Sequence, residues 1–317
     1  DGGDDTLEGG AGRDTLIGGA GFDIASYANA HTALRLDLTN PSVNTGDAFS
    51  DILSGIEGIL GSNGNDTLTG DSLGNWLDGG NGDDLLDGLG GADTLYGGAG
   101  NDSFIAGAGA DMFFGGAGVD SVSYETALRG QIVSMITGVD TFDFGAGDVF
   151  DSIEILIGSH HGDFIVGNSG VNTIFGGAGE DCLFGGSGAD ALFGGLNDDL
   201  LEGGNGADRL DGGAGDDLLA GGNGSDSFLH DGASQSGTDW ILDFTTDSDV
   251  LLFTGAGAML QDFAITAATR ARLWSTGEPV WIVTHLPTGR ELWVLENQNN
   301  AITDVDINIA GVVYDLL

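Results

Sequence analysis

An all-β solenoid of parallel strands, 18 residues to the coil, is the fold this sequence predicts, and three observations predict it. Aspartate recurs at every ninth position through three long runs. An apolar residue stands two places after each aspartate. A glycine-rich hexad ends on each aspartate, as the stretch from Gly79 to Phe104, GGNGDDLLDGLGGADTLYGGAGNDSF, displays.

The first run holds Asp5, Asp14 and Asp23. The second holds Asp66, Asp84, Asp93, Asp102, Asp111 and Asp120, with Asn75 in its gap. The third holds Asp163, Asp181, Asp190, Asp199, Asp208, Asp217 and Asp226, with Asn172 in its gap. The apolar partners keep the same phase, for example Leu68, Leu77, Leu86, Leu95, Phe104 and Phe113, then Ile165, Ile174, Leu183, Leu192, Leu201 and Leu210. The unit is G-G-x-G-x-D-x-U-x, with U apolar. Its clearest hexads are Gly79-Gly80-Asn81-Gly82 before Asp84, Gly97-Gly98-Ala99-Gly100 before Asp102, and Gly176-Gly177-Ala178-Gly179 before Asp181. Gly185-Gly186-Ser187-Gly188 and Gly203-Gly204-Asn205-Gly206 are as regular. Gly115 and Ala117, Gly194 and Gly195, Gly212 and Ala214, and Gly221 and Asn223 belong to further hexads. Gly64, Gly91 and Ala108 stand in less regular ones.

Each element of the unit has a physical task. Glycine permits positive φ and a tight turn, while the trailing x-U-x triplet reads as a very short strand with one side chain facing inward. Nine residues make half a coil, so residues 18 apart stack as neighbouring strands around a thin apolar core. Such a strand does not outweigh the ordering of six turn residues at roughly 1 to 2 kcal/mol each. The turns need another source of stability. Stacking puts Asp84 over Asp102 and Asp93 over Asp111, so like charges line both edges of the coil. A hard, oxygen-seeking cation, above all Ca²⁺, answers that repulsion with carboxylates and turn carbonyls, whereas Mg²⁺ keeps its waters and demands a stricter octahedron.

Composition agrees. The 317 residues include 50 acidic side chains against seven arginines and no lysine, a formal charge of −43, and 61 glycines. That charge makes nucleic acid and anionic membrane surfaces poor partners and sets nucleic-acid binding aside. Yet 40% of the residues are hydrophobic, too many for a solvated acidic tail. The single cysteine, Cys182, excludes an internal disulfide framework, and no apolar run reaches the length of a membrane span. No signal peptide is visible, and the chain opens in mid-pattern at Asp1, as expected of a piece of a longer protein.

A larger repeat overlies the small one. At an offset of 97, the hexad ending on Asp23 matches the one ending on Asp120, Ser26-Tyr27 matches Ser123-Tyr124, Ile56-Glu57 matches Ile153-Glu154, Gly61-Ser62 matches Gly158-Ser159, and Asn75 matches Asn172. Residues 18 to 114 and 115 to 211 are thus tandem copies, each interrupted by an insert, at 27 to 60 and 124 to 157. ALRLDLT and GQIVSMI within the inserts read as strands. The inserts leave the coil and re-enter it, and are expected to strand Asp23 and Asp120 without partners.

The nonapeptide resembles the RTX (repeats-in-toxin, hemolysin-type calcium-binding) family over most of residues 1 to 228 outside the inserts. The resemblance implies a right-handed parallel β-roll with calcium between turns two repeats apart. One turn then gives its aspartate and the carbonyls of its second and fourth hexad positions, and the other its aspartate and the carbonyls of its first and third. One implied site is Gly80, Gly82 and Asp84 with Gly97, Ala99 and Asp102, and another is Gly204, Gly206 and Asp208 with Gly221, Asn223 and Asp226. Aspartates 5, 66, 84, 93, 102, 163, 181, 190, 199 and 208 have an aspartate 18 residues on, which implies about ten Ca²⁺ ions. Asn75 and Asn172 keep an oxygen without the charge and imply weaker sites. Leu196 and Asn197 depart from the hexad before Asp199, and Ala106 from the one before Asp111.

After Phe228 the repeat stops. DWILDFTTDSDVLLF and VWIVTHLPTGRELWVLEN read as strands, the latter a hairpin around Pro287-Thr288-Gly289. The segment resembles the β cap that ends RTX rolls, which in the family accompanies an uncleaved type I secretion signal; the terminal Asp315-Leu316-Leu317 fits that signal, while a solenoid needs a cap in any case. The expected organisation is the end of an upstream roll (1–26), an insert (27–60), a roll (61–123), a second insert (124–157), a roll (158–228) and a cap with the secretion signal (229–317).

No other chemistry competes. His160-His161 reads as a solvated pair, the equivalent Glu57 and Glu154 as structural, Cys182 as a plain thiol, and Trp274, Trp281 and Trp293 as packing within the cap. No metalloprotease, nucleophile-elbow or phosphate-loop motif occurs. The expectation is a non-enzymatic, calcium-binding module of a secreted bacterial protein. Its partners would be calcium, an upstream passenger domain and the type I secretion machinery. Self-association or glycan binding by the inserts or cap, as in an adhesin or surface-layer protein, is the alternative, and the tail of a secreted enzyme with its catalytic domain upstream is a third.

Overall fold

The computed structural model describes residues 2–136, 147–230, 237–244 and 249–253, and the backbone of five further strands, Phe263–Arg270, Glu278–His285, Arg290–Leu295, Asp306–Ile309 and Val312–Asp315. The chain forms two compact units, Asp1–Ser159 and His160–Leu317. Regular structure among the described residues is β-strand, apart from two short 3-10 turns at Pro41–Val43 and Gly46–Ala48.

In the first unit parallel strands pair residues 18 apart. Leu77 lies against Leu95 and Leu95 against Phe113 in one sheet, and Leu68, Leu86, Phe104 and Val122 follow one another in the other. These side chains are buried, as the inward position of the nonapeptide requires. Outside, Tyr96 stacks on Phe114 at 4.7 Å, the spacing of adjacent strands. Several strands are longer than the expected triplet. Trp76–Asn81 and Thr94–Ala99 have six residues, because the ladder runs on into the hexad, with Gly80 opposite Gly98 and Asn81 opposite Ala99. Three-residue strands survive on the other face, as at Leu85–Asp87 and Ser103–Ile105.

The first insert continues one stack and interrupts the other. It returns through Gly58–Leu60, which pairs with Ile24–Ser26. Within it Ile52–Ser54 pairs with Thr15–Ile17 of the coil before, and Arg35–Asp37 pairs with Thr67–Thr69 of the coil after. One coil is thus widened into two strands, each answering one neighbour. In the second insert Val149–Asp151 pairs with Met112–Phe114, and Ile155–Ile157 with Ser121–Ser123. Residues 137–146 there fall outside the described residues.

The second unit repeats the pattern, with Ile165, Leu183, Leu201 and Leu219 in one buried row and Ile174, Leu192, Leu210 and Phe228 in another. Its last coils are followed by Asp239–Ile241 and Val250–Phe253, which pair in parallel with Leu218–Gly224 and Ser227–His230. Glu278–His285 and Arg290–Leu295 pair antiparallel, as the hairpin reading requires, though residues 286–289 fall outside the described residues. So do Trp274 and the side chains of Trp281 and Trp293.

Candidate metal centres along the coil edges

Every aspartate rung reaches from one coil to its neighbour. Asp84 Oδ1 accepts the Asp66 amide at 2.7 Å, Asp102 Oδ1 the Asp84 amide at 2.8 Å, and Asp120 Oδ1 the Asp102 amide at 2.7 Å. On the opposite edge Asp93 accepts from Asn75 at 2.8 Å and Asp111 from Asp93 at 2.9 Å, while Asp23 accepts from Asp5 at 2.9 Å. In the second unit Asp181, Asp199 and Asp217 accept from Asp163, Asp181 and Asp199, and Asp190, Asp208 and Asp226 from Asn172, Asp190 and Asp208, all within 2.9 Å. Each aspartate pair 18 residues apart is stacked in this way.

At most rungs one carboxylate oxygen is left without a partner. Oδ2 of Asp14, Asp23, Asp84, Asp93, Asp102, Asp120, Asp181, Asp190, Asp199, Asp208, Asp217 and Asp226 is buried with no hydrogen-bond partner. An ionised oxygen in that condition is costly. Burial accordingly pushes Asp84 and Asp93 up to about 7, Asp199 up to about 8, and Asp102, Asp181, Asp217 and Asp226 up to about 6, with neighbouring carboxylates adding to the rise. Asp111, Asp120, Asp190 and Asp208 move the same way, again through burial first.

The hexads close around these oxygens. First-position Gly79, Gly97, Gly115, Gly176, Gly185, Gly194, Gly203, Gly212 and Gly221 lie so near their own rung that a methyl group would overlap its Oδ2. A methyl on Gly98 or Gly100 would overlap the Gly80 or Gly82 carbonyl oxygen, and one on Gly204 or Gly206 that of Gly186 or Gly188. Second- and fourth-position carbonyls therefore point into the layer between coils. Gly177 and Gly195 are opposed in the same register, Gly179 and Gly91 share the positive φ of the fourth position, and Gly64 lies against Gly82. Ala178, Ser187 and Asn223 continue their strands into the hexad. The third-position carbonyls of Ala99, Ala108, Ala117, Asn205 and Ala214 already accept the amides of Gly82, Gly91, Gly100, Gly188 and Asn197, which leaves each one lone pair.

No group of three or more His, Cys, Asp or Glu side chains placed to hold a metal occurs among the described residues. A rung pair brings two carboxylates, so the other ligands of an oxygen-seeking cation must be backbone carbonyls. Those are what the glycines aim between the coils, and the donor set fits calcium.

Two expectations change, and four further acids join the ladder. Asp23 and Asp120 are not stranded: their amides donate to Glu57 Oε2 and Glu154 Oε2 at 2.9 Å, the longer side chain spanning from the re-entering strand. Leu196 and Asn197 do not break their turn, because Asn197 takes the fourth-position conformation at φ +82° and Leu196 pairs with Ala214. Four further acids hold rungs outside the nine-residue phase. The Asp14 amide donates to Asp51 at 2.8 Å, that of Asp111 to Asp148 at 2.8 Å, that of Asp226 to Asp249 at 3.0 Å, and that of Asp217 to Asp239 at 3.5 Å. Glu57 and Glu154 were within reach of a period search, standing 18 residues before Asn75 and Asn172. Asp51 and Asp148 were not, at 37 residues from their neighbours.

The family model described as RTX calcium-binding nonapeptide repeat (4 copies) matches residues 1–25, 60–95, 87–122, 157–192 and 193–228, half of the chain. The chain belongs to this family. No curated protein matches it. Among solved structures, the solution structure of the AlgE6R3 subunit from the Azotobacter vinelandii mannuronan C5-epimerase is 23% identical over 49% of this chain and 85% of its own. Its TM-score of 0.21 is a value at which the likeness carries no argument. RTX repeats are a structural, calcium-binding element rather than a catalytic one. His160 and His161 are exposed, and burial and the Asp181 and Asp199 charges push the half-buried Cys182 thiol up, away from a reactive thiolate. No helix among the described residues is long and apolar enough to cross a membrane.

Proposed function

We propose that this chain is a calcium-loaded RTX roll that folds on the ion outside the cell and serves the export and stability of a larger secreted protein. The observation that carries it is the set of twelve buried rung oxygens with no hydrogen-bond partner, facing a layer lined by turn carbonyls. When bound, calcium supplies positive charge and takes oxygen ligands without strict geometry. The chain does the rest: amides fix Oδ1 of each rung, glycines let the carbonyls approach, and the inward Leu, Ile and Phe rows hold the coils in register.

Linkage then makes the ion a folding switch. A ligand that binds only the folded form stabilises it by about 1.4 kcal/mol per site at tenfold excess over Kd, and many sites share one stack. Extracellular calcium modules work at roughly 10⁻⁴ to 10⁻³ M, so low cytosolic calcium leaves the calcium-dependent coils unfolded and exportable by a type I exporter and higher calcium outside folds them. Proteins with RTX repeats are typically secreted, which agrees with this order of events. The passenger, the catalytically silent character of this segment and the use of a C-terminal export signal are part of the same proposal. Far-UV circular dichroism during a calcium titration tests it. Signal for β-structure should grow cooperatively with calcium, and a chain fully β-structured in chelator overturns the proposal.

A further inference from the structure

The partnerless carboxylate oxygens are not spread evenly. They occur at Asp14 and Asp23, at Asp84, Asp93, Asp102 and Asp120, and at Asp181 and each rung from there to Asp226. Among the described residues up to Asp226, the two long intervals without them are those of the inserts and the rungs that follow.

In the first interval the chain supplies its own donors. Tyr27 Oη donates to Asp51 Oδ2 at 2.9 Å while the Asp14 amide donates to Oδ1, so both oxygens are used. Burial and the Asp51 carboxylate push the Tyr27 hydroxyl up, which keeps its proton in place. Asp66 accepts the Ser62 amide at 2.5 Å on Oδ2, and the Ser62 hydroxyl at 2.9 Å and the Leu34 amide at 2.8 Å on Oδ1. Asn75 accepts the Asp71 amide at 2.7 Å and donates through Nδ2 to the Glu57 carbonyl at 3.3 Å. Serine replaces the usual second-position glycine, asparagine the usual aspartate, and tyrosine brings a hydroxyl to a rung that lies outside the nine-residue phase.

We propose that residues 27 to 75 form a calcium-independent block in which Tyr27, Ser62 and Asn75 do with hydrogen bonds what the cation does at the other rungs. The second copy keeps the same residues at Tyr124, Ser159 and Asn172. Tyr124 donates to Asp148 at 2.6 Å, and Asn172 accepts the Asn168 amide at 2.8 Å. The copies have diverged nearby, with Asn29 and His31 in one against Thr126 and Leu128 in the other, so the retention is selective. Each block offers preformed strands on which a calcium-dependent run can stack, which lowers the nucleation cost of a solenoid. The proposal rests on calcium binding at the remaining rungs.

Hydrogen exchange followed by mass spectrometry on the whole chain tests it, in chelator and in calcium. Peptides from the block, covering Ile52–Ser54 and Thr67–Thr69, should exchange roughly tenfold or more slowly in chelator than peptides covering residues 85–123 and 182–228. Calcium should protect all of them. Tyr27→Phe should abolish the chelator protection of the first block. Asn75→Asp, which keeps the side chain's size and its acceptor for the Asp71 amide but loses the donation to the Glu57 carbonyl, should make the Trp76–Asn81 strand depend on calcium. Uniform exchange in chelator, with calcium protecting every segment together, overturns this inference and leaves the calcium reading standing. Failure of calcium to protect residues 85–123 overturns both.

Discussion

Gly98 holds φ at +109° and faces the Gly80 carbonyl oxygen, so an alanine there meets both strain and overlap. Gly98→Ala should cost about 1 to 3 kcal/mol or more and raise the calcium needed for half-maximal β-signal in a titration. Asp102→Asn separates charge from shape. It removes one of the repelling carboxylates while keeping an Oδ1 acceptor for the Asp84 amide. In chelator the variant should be no less stable than the parent, and in calcium it should melt lower; a loss of equal size in both conditions would count against a cation at that rung. The rung aspartates were legible because a strict period exposes them. Asp51 and Asp148 were hidden, since the inserts change the spacing to 37 and only the Tyr27 and Tyr124 hydroxyls mark their environment.

Strands in this protein end where the next coil stops supplying partners, and the last coils of the second unit show how such an end is closed. Inside the roll a first-position amide finds a carbonyl 18 residues ahead less one, as Gly167 does with Phe184 at 2.7 Å. At Gly221 and Gly222 the Asp243 carboxylate takes that place, accepting their amides at 3.0 and 2.8 Å. Asp243→Ala leaves two amides without that partner, at a cost of about 1 to 3 kcal/mol. The expected result is faster exchange across Leu218–Gly224 and a lower melting temperature in calcium; unchanged exchange there would remove Asp243 from the capping role. DWILDFTTDSDVLLF was legible as strand, since Asp239–Ile241 and Val250–Phe253 carry the apolar pattern. The capping acid was not, because it stands outside the nine-residue phase.

Charge acts on the protein as one body. With −43 formal charges and buried carboxyls pushed up to between about 6 and about 8, the metal-free roll takes up protons on folding. Since the unfolded carboxylates titrate near 3.9, the stability of the metal-free form falls as pH rises from roughly 4 through 6 to 8. In chelator, lowering pH from 8 to 5.5 should therefore increase β-signal. In calcium the sense reverses, because protons compete for the same oxygens, and the calcium midpoint should move upward as pH falls. Circular dichroism in the two buffers reads both, and a chelator form indifferent to pH over that range would contradict the electrostatic account.

Periodicity alone settled the parallel stack, its inward rows and the pairing of each aspartate with the one 18 residues on, since a solenoid is local in its repeat and each position sees the same neighbours. Three-dimensional packing decided the rest. Only there do Glu57 and Glu154 reach Asp23 and Asp120, and only there does Tyr27 meet Asp51, because these contacts join residues whose separation follows the path of an insert and no repeat.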